Sequence, residues 1–188
     1  MKGKTILPRA YFERPTLRVA RSLIGKYLIR DGDGGLRAGR IVEVEAYVGP
    51  EDRASHASRG RTPRTDVMFG PAGVAYVYLI YGMYHCFNVV TEREGYPAAI
   101  LIRAVHPVEG PMGGGTVEGP GRVCRFFGID RTLNRLDLTL GQTLWIEDLG
   151  ERVPPSAITA TPRIGVDYAG AWAAKPWRFG LRGSTPGL

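Results

Sequence analysis

Apolar and polar residues alternate along much of the chain, and this pattern predicts that strands dominate its first two thirds. The predicted strands cover residues 26–30, 36–47, 98–105 and 143–147, together with a hairpin at 76–88. The first two strands are joined by a loop of aspartates and glycines, residues that tolerate positive φ and are typical of hairpin turns. We therefore expect a sheet of mainly antiparallel neighbours.

Two short segments show helical rather than strand spacing. Thr16 is positioned to cap a helix over 17–24, which a following glycine ends. A Gly-Pro pair precedes a second predicted helix over 121–127, which is also followed by glycine. These helices are short enough to flank the sheet.

The remaining segments indicate how the elements are connected. Residues 49–73 are rich in Gly, Pro, Ser, Thr and Arg and are predicted to be a loop, and 110–115 to be a flexible glycine stretch. No composition shift or linker separates two cores. The expected fold is α+β, a single domain over 1–188 with a curved, mainly antiparallel β-sheet and flanking α-helices.

The hairpin at 76–88 is dense in tyrosine and suits the binding of a planar group. Alternation places Tyr76, Tyr78 and Ile80 on one face of its first strand, and Gly82 permits the turn. Tyrosine faces can stack on bases, which contributes on the order of 1–3 kcal/mol per base. An ordinary half-buried aromatic hairpin would have the same sequence, because tyrosine is a good strand former.

Charge narrows the class of partner. The formal charge is +7, and among 25 basic residues only Lys2, Lys4, Lys26 and Lys175 are lysine. A basic chain favours an anionic partner, with nucleic acid ahead of a membrane surface because no basic amphipathic helix stands out. Arginine binds phosphate bidentately and stacks on rings, although a genome rich in guanine and cytosine would produce the same bias.

Cysteine usage and the termini favour an intracellular protein, in the cytoplasm or nucleoid. Cys86 and Cys124 belong to no CxxC pair and sit among apolar residues, as expected of buried free thiols in a reducing compartment. Residues 1–8 lack the apolar core of a signal peptide, and no run approaches the roughly 18 apolar residues of a membrane span.

The histidines do not indicate a metal site. His56, His85 and His106 have no ligand spacing with one another or with the cysteines, so no metal is expected. His85 is predicted to be a strand residue near the aromatic pocket, and His106 a loop residue before Pro107.

A pair of carboxylates is the other candidate for chemistry. Glu43 and Glu45 alternate with apolar residues on a predicted strand and therefore share a face. One of them could be a general base beside an aromatic pocket, or both could form the solvated face of a two-sided strand. The turn-rich loop that follows could carry His56 back over the strand end, which favours the first interpretation.

Several blocks along the chain resemble, in order, the alkyladenine (3-methyladenine) DNA glycosylase family. They are RIVEVEAYVGPEDRASH at 40–56, TPR at 62–64, GVAYVYLIYGM at 73–83, CFN at 86–88, AILIRA at 99–104, GPGRVC at 119–124, PRIG at 162–165 and KPWRF at 175–179. Blocks in a fixed order over nearly the whole chain are far more specific than one short motif.

This resemblance implies a role for eight residues. Glu45 would be the general base, and Arg103 and the backbone carbonyl of Ile164 would help to hold the attacking water. The base-binding residues would be Tyr47, His56 and Tyr78, which enclose the extruded base, and Asn88, which bears on the purine substituents that are tolerated. Tyr81 would be the wedge that intercalates into the duplex.

The implied activity is base-excision repair of double-stranded DNA. The resemblance implies a monomeric glycosylase that needs no cofactor and hydrolyses the N-glycosidic bond of alkylated or deaminated purines. Because no lysine lies between Lys26 and Lys175, hydrolysis without strand cleavage is favoured over a Schiff-base mechanism. The alternatives are a non-catalytic lesion-binding or nucleic-acid-binding module, and an activity on RNA.

Overall fold

The computed structural model describes residues 5–110 and 115–184. Most of the predicted flexible stretch at 110–115 and the first residues of the amino terminus therefore lie outside the described part of the chain. Within that part, no helix is long and apolar enough to cross a membrane.

The predicted strands are present, and they belong to one larger sheet. Its strands are β1 (Thr5–Ile6), β2 (Tyr27–Arg30), β3 (Arg37–Val48), β4 (Ala75–Ile80), β5 (Tyr84–Val90), β6 (Ala98–Glu109), β7 (Val117–Glu118), β8 (Leu144–Asp148), β9 (Ile158–Thr161) and β10 (Arg178–Leu181). Their main order is β1-β8-β2-β3-β6-β5-β4, and every described pairing is antiparallel. The sheet curls into a half-barrel, which confirms the predicted α+β fold with a curved antiparallel sheet.

Three α-helices accompany the sheet in the described part of the chain. They are α1 (Arg9–Phe12), α2 (Thr16–Leu23) and α3 (Pro120–Phe127), and the last two are the predicted pair. Helix α3 begins with Pro120 at its first position and ends at Gly128, which adopts the left-handed conformation expected of a C-terminal glycine. Short 3₁₀ helices lie at His56–Arg59, Asp66–Phe69, Arg131–Leu133, Leu138–Leu140, Pro155–Ala157 and Asp167–Trp172.

Strand β3 is the centre of the sheet because it has partners along both edges. Its first residues pair with β2, and residues Glu43 to Glu45 pair with β10 on the same edge. The other edge pairs with β6 along nearly the whole length of β3. Consequently any side chain in the middle of β3 has neighbours from β6 and β10.

Bulges interrupt the pairing of β3 with β6. Ile41 pairs with Val105 and Val44 with Ile102, but between these pairs the register skips Val42 on β3 and Arg103 on β6. A bulge re-aims the side chains around it and increases the local twist. Arg103 is therefore presented at an irregularity and not at a regular ladder position.

Strand alternation separates an apolar core from a second, more polar face. Val44, Ala46, Ile100 and Ile102 belong to the main core, as do apolar residues of α2 and α3. The intervening residues of β3 and β6, among them Glu45, turn to the opposite face. Both Cys86 and Cys124 are buried free thiols, as predicted.

Two local predictions are wrong. Thr16 does not cap α2 but is its first residue, and its N–H and hydroxyl donate to the Glu92 carboxylate, at 2.6 and 2.9 Å. His106 lies inside β6 and not in a loop, because β6 continues past Pro107 in contact with β3. A register shift at Gly39 accommodates this proline, consistent with the occurrence of strand prolines at bulges.

Candidate active site

One row of residues crosses four strands and forms the floor of the polar face. Glu45 on β3 pairs with Leu101 on β6, Leu101 with Asn88 on β5, and Asn88 with Tyr76 on β4. Residues that pair directly across antiparallel strands project to the same side of the sheet. The carboxylate of β3 and the tyrosines of the hairpin are therefore brought to the same face by strand register.

Glu45 is fully buried and accepts hydrogen bonds on both carboxylate oxygens. The backbone N–H of Ile164 donates to Oε1 at 2.8 Å, and the Tyr47 hydroxyl donates to Oε2 at 2.8 Å. Arg103 Nε lies 3.5 Å from Oε1. A buried carboxylate is tolerated only with such partners, because its desolvation is otherwise very costly.

The second carboxylate also takes part in this arrangement. Glu43 is 5% exposed, and its Oε1 accepts from Arg103 Nε at 3.1 Å and from Arg178 Nη1 at 3.1 Å. Neither Glu43 nor Glu45 is a solvated strand residue, so that interpretation is wrong for both. Their burial depends on the chain that follows far along the sequence: β10 pairs with β3 at these residues and supplies Arg178 to Glu43, and the segment before it supplies the Ile164 N–H to Glu45.

Burial dominates the ionisation of this cluster. It raises the pKa of Glu45, while Arg103, the Ile164 N–H and the Tyr47 hydroxyl lower it by less and Glu43 adds to the rise. Burial, followed by the charge of Glu45, raises the pKa of Tyr47 well above its usual range, so its hydroxyl stays a donor. Burial lowers the pKa of Arg103, but the two carboxylates outweigh it and leave the pKa raised.

Aromatic rings surround the cavity above Glu45. The His56 and Tyr78 rings meet edge to face at 4.7 Å, and the Tyr76 and Tyr78 rings are tilted at 5.1 Å. His56 Nδ1 lies 3.0 Å from the Tyr76 hydroxyl. The predicted loop thus does return His56 over the sheet, against the hairpin tyrosines.

His56 is held in its neutral form at physiological pH. Burial lowers the pKa of His56 to about 4, and the guanidinium groups of Arg64 and Arg59 contribute to the shift. The same Arg64 lies over the outer part of the aromatic cluster, with its Cζ 5.0 Å from the Tyr78 ring centroid. A neutral imidazole can donate or accept a hydrogen bond, but it adds no charge to the cavity.

A buried ion pair fixes the two loops that border the cavity. Arg163 forms a bidentate pair with Asp52, at 2.6 and 2.9 Å, and both side chains are fully buried. The same guanidinium donates to the carbonyls of Ala46 and Trp172. It thereby ties the segment that carries Ile164 to the end of β3.

The cavity brings together six of the eight residues to which the resemblance assigns roles. These six lining residues are Glu45, Tyr47, His56, Tyr78, Arg103 and Ile164. Asn88 is buried below the lining, where its Nδ2 donates to the Tyr76 carbonyl at 3.1 Å. The resemblance assigns a role to the Ile164 carbonyl, and the structure shows the neighbouring backbone N–H of Ile164 donating to Glu45.

Tyr81 lies outside the cavity at the tip of the hairpin. It is 83% exposed and has φ +52°, and the following Gly82 has φ +68°. The Met83 N–H donates to the Ile80 carbonyl at 3.2 Å, which closes a turn of the type I′ kind. A non-glycine residue rarely adopts this conformation, which costs roughly 1–2 kcal/mol.

Sequence reasoning missed Tyr168 as a lining residue. Tyr168 is 70% exposed at the cavity, and its hydroxyl donates to the Ala54 carbonyl at 3.2 Å. It lies in a short irregular helix with no periodic pattern, so only its proximity to the PRIG block could have identified it. His85, although on β5 as predicted, lines a separate surface groove with Met83 and Asp130 and not this cavity.

The chemistry open to the site is that of a carboxylate and a guanidinium. Among the described residues, no group of three or more His, Cys, Asp or Glu side chains could hold a metal ion. The two lysines that the structure describes also lie elsewhere: Lys26 pairs with Asp148, and Lys175 lies over Trp172 and Trp177. The arrangement can bind a flat group between rings and deprotonate a nucleophile beside it.

Comparison with known proteins is consistent with this geometry. The family model described as methylpurine-DNA glycosylase matches residues 10–185. A Myxococcus xanthus protein named "Putative 3-methyladenine DNA glycosylase" is 56% identical over 178 residues, 95% of this chain and 91% of the relative. Proteins of the same name from Anaeromyxobacter dehalogenans (strain 2CP-C) and Legionella pneumophila (strain Corby) are 53% and 48% identical, covering 95% and 94% of this chain and 84% and 94% of the relatives.

The buried ion pair should dominate the stability of the cavity rim. Replacing Asp52 with Ala leaves the Arg163 charge buried without its carboxylate, a loss that typically costs about 3–5 kcal/mol. Urea unfolding should show a loss of this size. Asp66→Ala is the control, because Asp66 is also paired with arginine, here Arg61 and Arg135, but at the surface, and it should cost far less. Equal losses for the two variants would contradict a special role for the buried pair.

The neutral state of His56 should make stability depend on pH. In the unfolded chain the histidine has its ordinary pKa of 6.5, whereas in the folded chain the pKa is about 4. Between these values the unfolded state binds more protons, so folding stability should fall as pH drops from 6.5 towards 4. His56→Gln should lose less stability over this range in urea unfolding. If the wild-type protein and His56→Gln lost the same stability over this pH range, the buried, neutral state assigned to His56 would be contradicted.

Proposed function

The chain belongs to the methylpurine-DNA glycosylase family, and from this premise we propose that it flips alkylated or deaminated purines out of duplex DNA and hydrolyses their N-glycosidic bond. Candidate bases are 3-methyladenine, 7-methylguanine, hypoxanthine and ethenoadenine. The observation that carries the proposal is the fully buried Glu45 beside Arg103, at the floor of an aromatic cavity. A lesion-binding module has no need to bury a carboxylate there.

In this mechanism Glu45 activates the water. Oε1 is engaged by the Ile164 N–H and Arg103, whereas Oε2 accepts from Tyr47 alone among the described hydrogen bonds. A carboxylate oxygen has room for a further donor, so Oε2 can accept a water proton. As the glycosidic bond breaks, its electron pair leaves with the base and positive charge develops on the sugar, where an ionised Glu45 stabilises it. The water oxygen then bonds to C1′ as its proton passes to Glu45.

The aromatic residues supply the binding site for the extruded base. Tyr47, His56 and Tyr78 line the cavity, and their faces and edges can enclose a purine. Extrusion costs a few kcal/mol in lost stacking and pairing, and contacts inside the pocket offset that cost. Asn88 acts from below, where its amide is fixed by the Tyr76 carbonyl and limits how deep a purine substituent can reach.

Tyr81 is the residue that fills the duplex after extrusion. Its ring is almost fully exposed and contributes no burial to the fold, yet its backbone is held at positive φ. Strained positions of this kind occur at functional sites. We infer that the turn holds the ring outward so that it can enter the base stack.

The proposed product is an abasic site in an intact strand. Strand cleavage by this class of enzyme uses an amine to form a Schiff base, and neither Lys26 nor Lys175 lines the cavity. One cavity can act on one nucleotide at a time, so the proposed enzyme needs no second subunit and works as a monomer. It acts inside the cell, where its DNA substrate is. Hydrolysis by water needs no cofactor.

Replacing Glu45 with Gln should abolish excision and preserve lesion binding. Gln keeps the shape and one carbonyl acceptor but cannot take a proton from water. The test is release of free base from duplex oligonucleotides carrying each candidate lesion, with alkali added afterwards to reveal abasic sites. DNA treated with the wild-type protein should break only after alkali. DNA treated with Glu45→Gln should show no break at an abasic site.

Glu147→Gln is the matched control, because Glu147 is a buried glutamate on β8 that does not line the cavity. It should excise like the wild type. If the wild type bound lesion duplexes without releasing base, the lesion-binding alternative would replace the glycosylase proposal. Breakage before alkali would refute hydrolysis without strand cleavage.

Replacing Tyr81 with Gly should separate function from stability. Glycine adopts positive φ without strain, so unfolding free energy should rise by up to about 1 kcal/mol. Without the wedge, excision from duplex DNA should fall roughly tenfold or more, since 1.4 kcal/mol of lost duplex opening corresponds to a factor of ten. Leu140→Ala, which truncates an exposed apolar side chain on another surface, should leave excision unchanged. Undiminished excision by Tyr81→Gly would exclude the wedge role.

A further inference from the structure

The site contains two buried carboxylates, and the proposed reaction uses only one. Glu43 does not line the cavity, so it does not contact a bound base or the water. It is nevertheless 5% exposed, and a single oxygen, Oε1, accepts from two guanidinium groups, those of Arg103 and Arg178. A buried group with two charged partners and no substrate contact requires an explanation.

The first of the two arginines, Arg103, contacts both Glu43 and the proposed general base, Glu45. Arg103 Nε is 3.1 Å from Glu43 Oε1 and 3.5 Å from Glu45 Oε1, so its shorter contact is with Glu43. Because this N–H is directed at Glu43, Arg103 is only partly paired with Glu45. The bulge in β6 makes this possible, since it places Arg103 out of register between the two glutamates.

The second arginine, Arg178, is connected to the same oxygen of Glu45 through the backbone segment that includes Pro162 and Ile164. Arg178 lies on β10, and its Nε donates to the Pro162 carbonyl at 3.0 Å while its Nη1 donates to Glu43. Two residues after Pro162, the N–H of Ile164 donates to Glu45 Oε1 at 2.8 Å. Arg178 therefore connects Glu43 to the segment that delivers this N–H.

We propose that Glu43 is a positioning residue for the excision reaction: through Arg103 and Arg178 it fixes both groups that contact Glu45 Oε1. This inference rests on the function proposed above. It assigns the second carboxylate a task distinct from proton transfer. Glu43 keeps Arg103 from closing fully onto Glu45, and Glu45 remains free to accept a proton.

A pH readout distinguishes this role from a merely structural one. The titratable and charged groups nearest Glu45 are Glu43 and Tyr47 on β3, Arg103 on β6, Arg178 on β10 and Cys86 on β5. The same cavity is also lined by Tyr76, Tyr78, Tyr168 and His56, and His56→Gln, measured in parallel, identifies any part of the acid limb that belongs to the imidazole. Of these, Glu43 is a carboxylate whose charge raises the pKa of Glu45. Removal of that charge should lower the pKa of Glu45, and the acid limb of the rate profile should move with it.

The test is single-turnover excision by Glu43→Gln, measured across pH on a duplex with a 7-methylguanine or hypoxanthine lesion. We expect a rate at least about tenfold lower at neutral pH, within the roughly 100-fold that misplacing a reacting group can cost. The acid limb should move down by about half a pH unit or more. Glu147→Gln is the control for loss of a buried glutamate charge on the same sheet.

Arg178→Gln tests the second connection without touching Glu43. It should slow excision, because the Arg178 donors to the Pro162 carbonyl and to Glu43 are both lost. The rate loss of the double variant Glu43→Gln/Arg178→Gln should be smaller than the product of the two single losses, because the two residues act through one contact. If Glu43→Gln does not fold, the single variant Arg178→Gln still decides, since a wild-type rate would overturn the proposal.

The possible outcomes separate the two proposals. A wild-type protein that releases no base contradicts the proposed function itself. A wild-type protein that releases base, together with a folded Glu43→Gln of unchanged rate and pH profile, overturns only the role of Glu43. A slower Glu43→Gln with an unchanged acid limb would also count against it, because general destabilisation would explain that result.

Discussion

The burial of the Glu45 carboxylate is the constraint on which the rest of the structure depends. A carboxylate at zero exposure must receive donors that leave little of its charge uncompensated. Here they come from three places: Tyr47 on the same strand, Arg103 on β6 and the Ile164 N–H from the segment before β10. No local stretch could supply them all. The forked pairing of β3, with β6 on one edge and β10 on the other, is what brings them together.

Because Glu45 needs a donor from the Ile164 segment, that segment must be held close to β3, and charged side chains rather than strand pairing hold it there. The segments around residues 49–56 and 162–168 contain few regular hydrogen bonds, so their position relative to β3 depends on side chains. Asp52 and Arg163 supply a fully buried bidentate link, and Arg163 also binds the Ala46 carbonyl one residue from Glu45. Breaking such a pair is far more costly than breaking a surface pair. The Arg163 links therefore fix the segment that carries the Ile164 N–H to the end of β3.

The features that could be predicted from sequence are those set by residues close together in the chain, and the features that could not are those set by distant segments. Alternation placed Tyr76, Tyr78 and Ile80 on one face and Glu43 and Glu45 on another shared face, because period two is a local property. It did not reveal that both glutamates are buried, since that depends on β10, more than a hundred residues further along. The bulge at Arg103 and the contribution of Tyr168 likewise arise from tertiary pairing. The resemblance of ordered blocks supplied the partners that periodicity could not.

Charge near the aromatic walls bears on how the proposed enzyme would select its base. Arg163 lies 4.8 Å from the Tyr47 ring centroid and Arg64 lies 5.0 Å from that of Tyr78, and neither arginine lines the cavity. Each of these rings thus already interacts with a guanidinium, which leaves less of its face for a second cation. The neutral His56 adds no charge of its own to these walls. An alkylated purine that carries positive charge gains less from such walls than from isolated rings. In the proposed reaction its advantage would lie in the weakened glycosidic bond, so discrimination would belong mainly to the cleavage step and to Glu45.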